Sequence, residues 1–167
     1  ASLTNANFQS AVNLWFSNQA EANSTYGHIS DWNVSAVTDM GGAFDNRKNG
    51  FNPDFSKWDV SSVTNMGAMF YRANAFNQSL SNWNVLAVTN FQGMFSATEG
   101  LSNANKGDIH KTFSSNPNWT YDWSTHSVYA PITDSNFQTA VNLWFSDEAN
   151  ATFIYGHISD WNVSGVT

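Results

Sequence analysis

The chain has 167 residues, 41% of them hydrophobic, with 13 Phe, 8 Trp and 5 Tyr but only 11% charged residues. That is enough apolar material for a real core, wrapped in a surface of Asn, Ser and Thr with little charge. A net charge of −7 and a pI near 4.7 argue against nucleic acid, which needs Lys and Arg gathered on one face, and the lack of cysteine removes disulfides from the account.

Phe8, Ala11, Val12, Trp15 and Phe16 form one apolar stripe at helical spacing, so a helix is predicted over about 4–16 with Thr4 or Asn5 as its N-cap. Residues 17–27 are small and polar and read as a loop. From Ile29 a pattern begins that the chain repeats. Ile29–Phe44 (ISDWNVSAVTDMGGAF) returns as Phe55–Phe70 and as Leu80–Phe95, and a fourth copy opens at Ile158. The tryptophans Trp32, Trp58 and Trp83 are 26 and 25 residues apart (58 − 32 and 83 − 58). A period of this length marks units too small to bury their own apolar faces, which must stack to do so.

In each repeat the first part has the form apolar-x-x-Trp-x-Val, whose last two positions alternate as in a strand. The second part (Val37/Met40/Phe44 and its equivalents) has the spacing i, i+3, i+7, which fits a short helical or 3₁₀ turn. The predicted architecture is therefore α+β: a right-handed leucine-rich-like solenoid with short parallel strands at 31–34, 57–60, 82–85 and 160–163. Amphipathic helices at about 4–16 and 102–113 flank it, the second capped by Ser102. Residues 114–131 form an aromatic, Pro-bounded connector whose Trp119, Tyr121 and Trp123 are expected to cover the end of the stack.

At Ile132 the sequence starts over. Leu3–Thr38 aligns without gaps to Ile132–Thr167, a shift of 129 residues (132 − 3), with 25 of 36 positions identical. The domain reading is a capping helix and loop at 1–28, three repeats at 29–100, a helix and connector at 101–131, and the truncated start of a next tandem module at 132–167. The helix over 133–145 is expected to pack on its own repeats and on the connector, joining modules into a rod.

The motif W-[DN]-V-S-x-V-T-x-M-x-x-M-F, followed by F-N and the next apolar-S-x-W, resembles the 26-residue repeat of bacterial surface proteins, the BspA-like family. The resemblance covers Ile29–Phe95 and Ile158–Thr167, with Phe91, Leu86 and Ala43 as departures. It implies a leucine-rich-like repeat fold on extracellular or cell-surface proteins, with adhesion and surface display as the associated roles and no catalytic residues.

The residues themselves carry no enzyme signature. His28 and His157 are repeat equivalents and His110 and His126 stand apart, without the spacing of a metal site. There is no Cys nucleophile, no G-x-S-x-G elbow, and Gly41-Gly42 does not open a long helix. Asp31, Asp59 and Asp160 would stack about 5 Å apart if the strands pair, making an oxygen-rich row able to hold Ca²⁺. The competing reading has them hydrogen-bonded to their own turns, and no cofactor is expected. N-glycosylation sequons stand at Asn23, Asn33, Asn77, Asn118, Asn150 and Asn162. Trp32, Trp58, Trp83 and Trp161 read as repeat core; Trp119, Tyr121 and Trp123, outside that register, read as ligand or junction contacts. The function expected is a non-enzymatic extracellular structural or adhesive protein, part of a longer array forming a rod, stalk or fibre. Its partners would be neighbouring modules of the same protein, with glycans or other surface proteins possible. No apolar run approaches the roughly 18 residues a membrane helix needs. The alternative is a glycan- or calcium-binding cell-surface recognition module.

Overall fold

The computed structural model describes residues 2–47, 50–124, 126, 132–155, 158, 161, 163 and 166. In chain order these form strand β1 (Ser2–Thr4), helices α1 (Phe8–Ser17) and α2 (Gln19–Tyr26), a 3₁₀ turn Ile29–Asp31 and strand β2 (Asn33–Ala36). Helices α3 (Asn103–Phe113), α4 (Phe137–Ser146) and α5 (Glu148–Tyr155) follow after a long stretch of turns.

The leucine-rich-like solenoid with a strand in every repeat does not form. Among the described residues the sheet has two strands, β1 and β2, paired in parallel with Ser2 opposite Asn33 and Thr4 opposite Ala36. The strand predicted at 31–34 starts only at Asn33, after the 3₁₀ turn. Those predicted at 57–60 and 82–85 are not strands, each opening in a turn and running on without regular structure, and the 160–163 prediction falls largely outside the described residues.

The first half of each repeat closes local turns. Trp58 N donates to Phe55 O at 3.0 Å and Trp83 N to Leu80 O at 3.0 Å, while Val63 N and Val88 N close turns onto Val60 O and Val85 O. The first repeat makes the same turns, Trp32 N to Ile29 O and Val37 N to Val34 O, and its strand β2 forms because β1 lies alongside it; no partner strand lies beside the later repeats among the described residues. Neighbouring repeats are instead bound through their second halves, the part whose spacing suggested a helical turn. There Met40, Gly42, Phe44 and Asn46 donate to Asn65 O, Gly67 O, Met69 O and Tyr71 O at 2.7–2.9 Å, and the next pair of repeats repeats the set one period on. Alternate donors go across to the next repeat and local ones, such as Ala43 N to Met40 O, close the turn. Positive φ values keep this path tight, at Gly42, Ala68 and Gly93 and again at Asn46, Arg72 and Ala97.

Side chains reinforce the same seam. Asn65 Nδ2 donates to Asp39 Oδ1 at 2.8 Å and Asn90 Nδ2 to Asn65 Oδ1 at 2.9 Å. Each rung's Oδ1 also accepts the N–H two residues on, from Gly41, Gly67 and Gln92. The ladder explains two glycines. A Cβ on Gly41 or Gly67 would lie 2.6 Å from the Nδ2 of the next rung's Asn. At the third rung, where the position holds Gln92, no further Asn crosses. Both ends of the seam are closed. Asn5 Oδ1 accepts from Thr38 N and Asp39 N, and Asn116 Nδ2 donates to Val85 O and Val88 O.

One continuous core runs from Leu3 to Phe113, with α1 covering one end through Phe8, Ala11 and Val12 and α3 the other through Ile109 and Phe113. Phe44, Phe55, Phe70, Phe76 and Phe95 fill its middle as neighbouring rings 4.1–6.2 Å apart. Burying each such ring contributes about 1.5–3 kcal/mol.

The N-terminal helix prediction needs two corrections. Thr4 ends β1 and Asn5 reaches across to Thr38, so the residue before α1 is Asn7. Residues 17–27, read as a loop, hold α2: Asn18 Oδ1 accepts from Glu21 N and its amide reaches the Glu21 carboxylate, a reciprocal cap. Gly27, at φ 84°, ends that helix. Ser102 caps α3 by accepting from Asn105 N.

Candidate functional site

Trp32, Trp58 and Trp83 are 2%, 3% and 1% exposed. Each indole N–H bonds the chain before it: Trp32 to Gly27 O at 2.8 Å, Trp58 to Ile29 O at 2.9 Å and Trp83 to Phe55 O at 3.1 Å. The rings of Trp32 and Trp58 lie nearly parallel with centroids 6.3 Å apart. No face of this row is open to a sugar. Trp161 is half-buried beside Trp144 and Tyr155.

The carboxylates of the proposed calcium row do not converge. Asp31 pairs with Lys57, whose Nζ is 2.6 Å from Oδ1, and this lysine bond followed by its charge holds the Asp31 carboxyl below the usual range. Asp59 accepts from the hydroxyl and N–H of Ser61, which lowers its pKa likewise. Asp160 lies outside the described residues. Among the described residues no group of three or more His, Cys, Asp or Glu is placed to share a metal ion.

The sequons differ in their freedom. Asn23 and Asn150 are exposed on α2 and α5. Asn33 is exposed, with Oδ1 bonded to Ser35. Asn77 Oδ1 accepts from Ser102 N and Asn105 Nδ2, and the Asn118 amide donates to Val88 O, so both take part in packing. Asn162 and the repeat histidine His157 lie outside the described residues.

A concave surface lies where α3 ends. Asn116, 2% exposed, anchors the chain there: its amide holds Val85 O and Val88 O while its Oδ1 accepts from Asn118 N. The chain then folds back along α3. Trp119 meets Phe113 and Phe91 edge-on at 5.1 and 5.2 Å, and the Tyr121 hydroxyl accepts from Phe95 N at 2.9 Å. Trp123 lies 5.4 Å from the Phe95 ring. These three aromatics therefore cover the end of the core while each keeps part of its surface in solvent.

His110, on the last turn of α3, ties them down. Its Nδ1 accepts from Trp119 Nε1 at 3.1 Å and from Trp123 N at 3.4 Å, so Nδ1 is unprotonated and the neutral ring's proton is on Nε2. Asp122 accepts from the Ser124 hydroxyl and N–H, and these two bonds hold its carboxyl below the usual range. The resulting groove of about 350 Å³ is lined by His110, Ser114, Asn116, Trp119, Tyr121 and Asp122, with Pro117 and Thr120 at its rim. Sequence reading singled out the aromatics of this site from their position outside the repeat register. It missed His110, Asn116 and Asp122, whose sequence neighbours carry no mark of the site.

The second copy of the N-terminal unit has the same helical form. Helices α4 and α5 repeat the bounds of α1 and α2 after the 129-residue shift, down to the backbone angles of Asn7 and Asn136. Among the described residues the helix predicted over 133–145 spans Phe137–Ser146 and packs on α5. Ala140 is buried, but Phe145 is 83% exposed, whereas its counterpart Phe16 lies on Phe44 and Phe51 with the Arg47 guanidinium 3.9 Å above it. Most of the connector this helix was expected to meet lies outside the described residues.

No helix among the described residues is long and apolar enough to cross a membrane. Neither a curated protein nor a solved structure matches the chain. One family model does, over residues 10–121, which takes in most of α1, the three repeats, α3 and the aromatic return as far as Tyr121. By that match the chain belongs to the family described as Mycoplasma protein of unknown function, DUF285.

Proposed function

We propose that this protein is a non-enzymatic structural and adhesive repeat protein of the cell surface, working beside further copies of its own unit. The observation that carries this reading is how its polar side chains are used. The Asp39–Asn65–Asn90 ladder, the three indole N–H bonds and the Asn5 and Asn116 end caps all serve cohesion between repeats. The resemblance of the W-[DN]-V-S-x-V-T motif to the BspA-like repeats of bacterial surface proteins supports the same reading, and the α4–α5 copy supports repetition along the chain.

Two measurements test it. Antibodies against the purified chain should label intact, unpermeabilised cells, and beads coated with it should adhere to epithelial monolayers above albumin-coated controls. Labelling only after lysis, or adhesion no better than the control, would sink the proposal. Turnover of a polysaccharide would overturn the non-enzymatic part.

A further inference from the structure

We infer that the groove at the end of α3 is a binding site for one or two rings of a neutral hexopyranose glycan. The inference rests on the adhesive reading and assigns its ligand class. A pyranose ring presents two chemistries at once: an apolar face of C–H groups and an equator of hydroxyls that both donate and accept. The groove offers matching partners. Trp119 and Tyr121 are half-buried, so each ring is fixed from behind by Phe91, Phe95 and Phe113 and still exposes surface in front. Fixed aromatic surface binds at little cost in lost side-chain freedom.

The polar complement is mixed in the same way. His110 has Nδ1 fully engaged, which leaves Nε2–H as its donor. Asp122 binds Ser124 through Oδ1 alone, so Oδ2 can accept from a pair of neighbouring hydroxyls. The Tyr121 hydroxyl accepts from Phe95 N and keeps its own proton to donate. Hydroxyls of Ser114 and Thr120 complete the lining. A volume of about 350 Å³ is at the small end for ligand sites and suits a mono- or disaccharide unit rather than a long stretch of polymer.

Charge decides among sugars. Among the described residues lining the groove the one carboxylate is that of Asp122, and the chain as a whole carries −7. Sialylated and sulfated glycans would be repelled there, as would phosphate-bearing ligands. The preorganisation is independent of any ligand, because Asn116 holds the loop through two core carbonyls.

The test uses the whole chain on a printed array of neutral, sialylated and sulfated oligosaccharides, with calorimetry on the strongest neutral hit. Asp122→Asn keeps the Ser124 turn and removes the ionised acceptor; Thr120→Val removes an exposed hydroxyl. Near-ultraviolet circular dichroism checks that both variants keep the aromatic packing. Neutral glycans should bind, quench tryptophan fluorescence and lose at least tenfold in affinity with Asp122→Asn. Absence of neutral-glycan binding, a preference for anionic glycans, or unchanged affinity in the Asp122→Asn variant would each overturn the assignment. Bead adhesion run in parallel separates the two readings. Adhesion that survives without glycan binding leaves the surface role standing and removes only this site.

Discussion

Gly67→Ala is the sharpest probe of how the repeats hold together, because two effects of opposite sign meet there. The φ of Gly67 is not positive, so the backbone itself accepts alanine. On backbone grounds alone the change should stabilise by about 0.4–1 kcal/mol, by restricting the unfolded chain. Against this, the new Cβ would stand 2.6 Å from Asn90 Nδ2 and 3.2 Å from Asn90 Cγ. That amide must swing away, losing its 2.9 Å bond to Asn65 Oδ1. A side-chain hydrogen bond of this kind contributes about 0.5–1.5 kcal/mol, and the displaced Asn90 also disturbs the Gln92 N–H it accepts from. The net expectation is destabilisation by about 0.5–1 kcal/mol, equivalent to roughly 1–4 °C in a chain of this size. In an Asn90→Ala background the obstacle is gone, and the same glycine change should stabilise. Urea melts of the four proteins in that double-mutant cycle give the coupling, about 1–2 kcal/mol, directly. If Gly67→Ala has the same sign and size in both backgrounds, the ladder does not dictate the glycine.

Trp58→Ala removes a buried indole and the shorter of the two hydrogen bonds the Ile29 carbonyl accepts, so a loss of about 3–5 kcal/mol is expected; a thermal scan unchanged from wild type would contradict its place in the core. Ala68→Gly should stabilise by about 0.5–1 kcal/mol, since Ala68 sits at φ 53° where the flanking repeats carry Gly42 and Gly93. Chemical denaturation at neutral pH reads that gain directly. Asp108→Asn should stabilise at pH 7, because burial raises the Asp108 pKa and ionising it therefore costs folding energy, partly offset by its Ser79 bond. With the folded pKa above the unfolded one, that cost appears as pH rises through the unfolded value near 3.9 and is complete above the folded one, so the two proteins should converge below about pH 3. A stability difference that persists unchanged at low pH would refute that cause.

What could be read from the residues was whatever depends on neighbours close in sequence or on a strict period. The recurrence of Trp32, Trp58 and Trp83, the stripe Phe8–Ala11–Val12 and the Ser102 cap are of this kind. Helix α2 lay at the limit: only Ala22 of its eight residues is buried, so no apolar stripe announces it, and its signal was the short Asn18–Glu21 pair. Whether the Trp-x-Val stretches pair as strands was open to the tertiary structure alone. Alternation at Trp58 and Val60 fits a strand and a tight turn equally, and a strand formed at Asn33–Ala36, where β1 came alongside it. The ladder of Asp39, Asn65 and Asn90 and the groove around His110 and Asn116 were hidden for the same reason. Their partners are 9 to 31 residues away, and a polar side chain carries no mark of which distant group it will face until the chain has packed.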